Sequence, residues 1–132
     1  MNGIPANLGE FPWQAQLITS FWDNDHFCGG TLISSKHVLT ATHCLVRWFT
    51  DNGTFFPILP KENITVITGR LSKSDYEQQQ VTSKVAKVII HPDYYHPSIL
   101  NNDIALLELV EPVPFNKNIK MACLPLLSKP VK

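Results

Sequence analysis

Asp103-Ile104-Ala105-Leu106-Leu107-Glu108-Leu109-Val110 opens on an acid and continues with apolar side chains at both odd and even positions. Such a run reads as a short strand buried on both faces over most of its length, with a carboxylate at its head. Outward from it, β-rich runs bounded by turn residues recur along the chain: Gln14 to Ser20, His26 to Ser34, His37 to Thr40, Asn63 to Gly69 and Gln80 to Ile90. With Asp103 to Val110 these make about six strands, the number expected of a small antiparallel barrel. The predicted fold class is all-β.

Composition is consistent with that reading. The 132 residues hold ten prolines and only six glycines, which disfavours both long helices and a flexible linker. Repeats, low-complexity stretches and compositional breaks are absent, so residues 1–132 are expected to form one domain. The segment between Cys44 and Asn63 scatters Trp48, Phe49, Phe55 and Phe56 among Pro57, Pro60 and other turn residues with no period, and reads as a large surface loop.

A net charge of zero, without a run of Lys or Arg, offers no electrostatic footprint for nucleic acid or an anionic membrane. No stretch approaches the roughly 20 apolar residues of a membrane span. Met1-Asn2-Gly3-Ile4-Pro5 has neither the basic nor the apolar region of a secretory leader, so a secreted protein would need sequence upstream. Three cysteines, Cys28, Cys44 and Cys123, are an odd count. Two sequons, at Asn52 and Asn63, are candidate N-glycosylation acceptors. Cysteines and sequons together lean toward an extracellular location.

Two constellations carry chemistry. In the first, Cys28-Gly29-Gly30-Thr31-Leu32-Ile33 precedes Val38-Leu39-Thr40-Ala41-Thr42-His43-Cys44, a strand with two glycines followed by one that ends on His-Cys. In the second, Asn101-Asn102-Asp103 places a carboxylate where an apolar strand begins. An unpaired buried charge costs several kcal/mol, so that carboxylate needs a partner, and an imidazole N–H is the natural one. Such a pairing fixes the ring tautomer and leaves the other nitrogen free to take a proton from a nucleophile.

Gly9-Glu10-Phe11-Pro12-Trp13-Gln14, Cys28-Gly29-Gly30-Thr31-Leu32-Ile33, Leu39-Thr40-Ala41-Thr42-His43-Cys44 and Asn102-Asp103-Ile104-Ala105-Leu106-Leu107 resemble, in identity and order, the chymotrypsin-like serine proteases, also called trypsin-like. The resemblance covers nearly the whole chain. It implies a six-stranded antiparallel Greek-key barrel, the first of the two barrels of the chymotrypsin fold. It implies that His43 is the catalytic general base, that Asp103 orients it and that Cys28 and Cys44 are disulfide-bonded beside it. Closing a loop of about 15 residues would contribute roughly 3 kcal/mol on the loop-entropy account. Serine-type endopeptidase activity on extracellular proteins follows, with protein or peptide substrates and without metal or other cofactor.

The chain also departs from the family pattern. In the family the nucleophilic serine, oxyanion hole and specificity pocket come from the second barrel, and no Gly-Asp-Ser-Gly-Gly string occurs here. Ser34, Ser35, Ser72, Ser74, Ser83, Ser98 and Ser128 stand outside any such motif, so this chain alone is expected to be inactive. Active members begin Ile-Val-x-Gly, whereas Met1-Asn2-Gly3 stands here. Thr42 replaces the usual alanine, with a small packing effect expected. Cys123, in a Cys-Leu-Pro context, resembles the cysteine that some members link to an upstream pro-segment. The alternative function is a non-catalytic serine protease homologue acting as a binding or cofactor protein; a stand-alone barrel acting as an interaction module is a third reading.

Plainer roles stand beside these. His43 read without its neighbours is a core histidine bonded to a carbonyl. Zinc held by Cys28, His43 and Cys44 is disfavoured by the poor chelate spacing of adjacent His-Cys. Asp103 read alone is a strand cap. Gly29 and Gly30 serve close backbone approach or a bulge. His26, His37, His91 and His96 have no acid partner evident in the sequence and read as surface or loop histidines.

Overall fold

The computed structural model describes residues 10–21, 24–46, 58–69, 80–93 and 103–123. Six strands, β1 (Gln14–Phe21), β2 (Asn24–Leu32), β3 (His37–Thr40), β4 (Ile64–Thr68), β5 (Val81–Ile90) and β6 (Ala105–Leu109), close into a barrel of order β1-β2-β3-β6-β5-β4. Every pairing is antiparallel. The chain leaves β3 and returns as β4 on the far side, against β1, so that β6 fills the place next to β3. Closure gives each of these six strands a neighbour on both sides, although β2 meets β3 only at Thr31 and Leu32.

Period-two alternation fixes which side chains fill the interior. Ala15, Leu17 and Thr19 of β1 point inward, as do Val66 of β4 and Ala105, Leu107 and Leu109 of β6, and all are buried. β6 corrects the expectation of burial on both faces, because Leu106 and Glu108 lie half-buried on the outer wall. The inner and outer sides of a closed barrel differ even where the sequence is apolar at both parities. A register shift in β5 between Val85 and Lys87 marks a bulge against β6.

Gly30 shows the close approach expected of the glycine pair. A Cβ there would lie 2.8 Å from Val38 Cγ1, 3.1 Å from Leu17 Cδ1 and 3.2 Å from the Leu39 carbonyl oxygen. At Gly29 the same atom would meet only Gln14 Nε2, at 3.4 Å. Neither is a bulge, since the β1–β2 register runs unbroken past both.

The base of the long loop belongs to the core. Leu45, Val46 and Leu59 are buried, Val46 bridges to Ile58, and the Leu59 N–H donates to the Leu45 carbonyl at 2.8 Å. Residues 47–57, with the sequon at Asn52, lie outside the described residues. Asn63 is half-buried at the end of a 3₁₀ turn (Lys61–Asn63), and its amide donates to the Ser20 carbonyl at 3.0 Å. After β6, Val113 and Ile119 add to the core, and the Ala122 N–H reaches the Leu32 carbonyl at 2.8 Å.

Candidate active site

The β3–β6 ladder ends at the pair Thr40–Ala105. Beyond it Ala41 is extended and Thr42–Cys44 form a 3₁₀ turn closed by the Cys44 N–H to the Ala41 carbonyl and the Leu45 N–H to the Thr42 carbonyl. That turn bends His43 out of the barrel wall just where Asp103 arrives before β6. Both sequence-predicted site residues therefore meet at one end of the same strand pair.

Asp103 uses both oxygens on His43. The His43 backbone N–H donates to Oδ1 at 2.8 Å, and ring Nδ1 lies 2.5 Å from Oδ2. A carboxylate only accepts, so Nδ1 carries the proton and Nε2 of the neutral ring carries the lone pair. The His43 side chain is 50% exposed while that of Asp103 is 20% exposed, so the carboxylate lies deeper than the imidazole it holds. Nε2 has Cys44 Sγ at 3.8 Å. That sulfur is disulfide-bonded and has no proton to give, so the lone pair of Nε2 stays available.

The Cys28–Cys44 disulfide joins β2 to the 3₁₀ turn across 16 residues of sequence, with Cα atoms 6.3 Å apart. Cys123 is exposed and free. Two threonines add further ties: Thr40 Oγ1 donates to the Gly29 carbonyl and Thr42 Oγ1 to the Ile104 carbonyl, each at 2.8 Å. Among the described residues no serine hydroxyl bonds to His43 Nε2.

A family model described as Trypsin matches residues 1–132. The chain belongs to the trypsin family. Among curated proteins, this trypsin-family chain is similar to Transmembrane protease serine 9 of Rattus norvegicus, 36% identical over 126 residues that make up 96% of the chain and 10% of the relative. It thus spans about a tenth of the length of that relative. No helix among the described residues is long and apolar enough to cross a membrane.

One histidine of this trypsin-family chain corrects its sequence reading. His37, on β3, is half-buried, with Nδ1 2.7 Å from Ser34 Oγ and Nε2 3.6 Å from Glu108 Oε1. Its acid lies directly opposite on β6. Only the strand register brings them together, and sequence spacing carries no sign of it. His26 is exposed on β2, and His91 follows β5 with Nδ1 accepting from the Asp93 N–H at 3.0 Å. His96 lies outside the described residues.

Proposed function

We propose that this chain supplies the general base of a serine-type endopeptidase and the carboxylate that orients it. The observation that carries the reading is the two-point grip of Asp103 on His43, which fixes the tautomer and leaves the lone pair on Nε2 of a half-exposed ring. In the reaction a serine hydroxyl from outside these 132 residues attacks the scissile carbonyl. Nε2 takes the hydroxyl proton as the oxygen–carbon bond forms, then gives it to the departing amine as the carbon–nitrogen bond breaks. Water repeats the cycle on the acyl-enzyme and returns the proton to the serine. Asp103 stays a carboxylate throughout and holds the ring while it is cationic.

The serine and oxyanion donors belong to the remainder of the peptidase unit, and the isolated chain is inactive. Exposed Ile104, beside Asp103, supports a further protein surface covering this end of the barrel. We assign the domain to an extracellular compartment, where the Cys28–Cys44 bond persists, and Cys123 to a disulfide with an upstream segment.

The test is fluorophosphonate labelling and peptide hydrolysis by the full-length protein, by its His43→Ala variant and by the isolated chain. The full-length protein should label and turn over, and the other two should not. A folded full-length protein that neither labels nor cleaves would overturn the reading in favour of a non-catalytic homologue, and stoichiometric labelling of the isolated chain would overturn the assignment of the serine to other residues.

A further inference from the structure

We propose that Thr42 is a positioning residue for the His43–Asp103 pair, its hydroxyl extending the β3–β6 ladder beyond the point where the backbone leaves it. Past Thr40–Ala105 the 3₁₀ turn directs the N–H groups of Cys44 and Leu45 to Ala41 and Thr42. Those two N–H groups are engaged within the turn, while the His43 N–H goes to the Asp103 carboxylate. Side chains take over: residues 42 and 43 bond to residues 104 and 103 in antiparallel order, Thr42 Oγ1 to the Ile104 carbonyl and His43 to the Asp103 carboxylate.

Thr42 is fully buried, so its hydroxyl needs a partner within the protein, and the Ile104 carbonyl at 2.8 Å is that partner. The same carbonyl accepts a longer bond, 3.3 Å, from the His91 N–H at the end of β5. Losing the hydroxyl would leave that carbonyl still partnered and the barrel intact. What would be lost is the tie between the peptide next to Asp103 and the residue next to His43. Alanine, usual here among the proteases this chain resembles, has no hydroxyl with which to make it.

The inference rests on the proposed peptidase reading for its catalytic consequence, though not for its structural one. The test compares Thr42→Val, which keeps the shape and removes the hydroxyl, with Thr42→Ser, which keeps the hydroxyl, both in the full-length protein. Thr42→Ala carries the same comparison should valine fail to fold. The first readout is the downfield His43 Nδ1–H proton resonance in protein labelled with ¹⁵N-histidine, the second the split of kcat from KM. Thr42→Val should broaden or lose the resonance and lower kcat about tenfold at little-changed KM, as a small misplacement of a catalytic group does. Thr42→Ser should restore both.

An unchanged resonance in folded Thr42→Val or Thr42→Ala, or an equal loss in Thr42→Ser, would overturn the assignment. A wild-type protein without peptidase activity in which the resonance still follows the hydroxyl would uphold the positioning role and overturn the peptidase reading instead.

Discussion

Asp103 reaches His43 at two points, Oδ1 on the backbone N–H at 2.8 Å and Oδ2 on ring Nδ1 at 2.5 Å. A single bond would allow the imidazole to pivot about the contact. Two acceptor oxygens of one carboxylate, one taking the backbone N–H and the other the ring N–H, tie the ring and its own main chain to the same group.

Asp103→Asn tests that geometry with almost no change in shape. The amide offers one acceptor and one donor, so it cannot accept from both the backbone N–H and a protonated Nδ1. If its oxygen keeps the backbone bond, its NH₂ faces the ring, Nδ1 must accept, and the proton moves to Nε2, where a base needs a lone pair. In the full-length protein kcat should fall by about 10²–10⁴, the range typical of a lost general base. Folding should be little affected. Turnover within a factor of three of wild type would show that the pairing does not control the reaction.

Gly30 and Gly29 make a matched pair of stability tests. Gly30→Ala drives a methyl against Val38, Leu17 and the Leu39 carbonyl, and overpacking of this kind costs about 1–3 kcal/mol. Gly29→Ala meets only the end of the flexible Gln14 side chain and should stay within about 0.5 kcal/mol, as surface changes do. Guanidinium unfolding of the two variants decides it; equal losses would mean that the β2–β3 approach is not what requires glycine at position 30.

These particulars show what was readable in advance. Strand positions were legible because turn residues bracket runs of β-formers, and β3 begins and ends where predicted, at His37 and Thr40. The outer wall of β6 was not, because apolar residues at both parities look alike whether or not a second layer covers them. The two site strings were legible by resemblance, and the bottom-up reading supplied the need of Asp103 for an imidazole. The partner of Thr42 was hidden for the same reason as that of His37. Each depends on which strands are neighbours, and β3 and β6 are far apart in sequence.

Ser34, His37 and Glu108 resemble a catalytic constellation on paper, yet their contributions should be small. His37 and Glu108 are 3.6 Å apart with side chains 35% and 38% exposed, so solvent screens them and Glu108→Gln should change stability by less than about 0.5 kcal/mol. Ser34 is more constrained, since its hydroxyl also accepts the Lys36 N–H at 3.1 Å. Ser34→Ala should cost about 1 kcal/mol, the net worth of an ordinary hydrogen bond. Thermal unfolding of both variants would check the order, and a larger loss from Glu108→Gln would reverse it.

The disulfide offers a test that separates anchoring from global stability. Cys44 is adjacent to His43 in a turn only three residues long, and its bond to Cys28 is the covalent link between that turn and β2. Cys28→Ser/Cys44→Ser should lower stability by about 3 kcal/mol, the value for a loop of this size. Reductant should bring the wild type down to the same level and leave the double variant unchanged. The larger effect should fall on the site, because the Sγ 3.8 Å from Nε2 also limits where the ring can swing. Turnover by the full-length double variant, measured at a temperature where it remains folded, should therefore drop. Unaltered kcat under those conditions would reduce the bond to a purely structural staple.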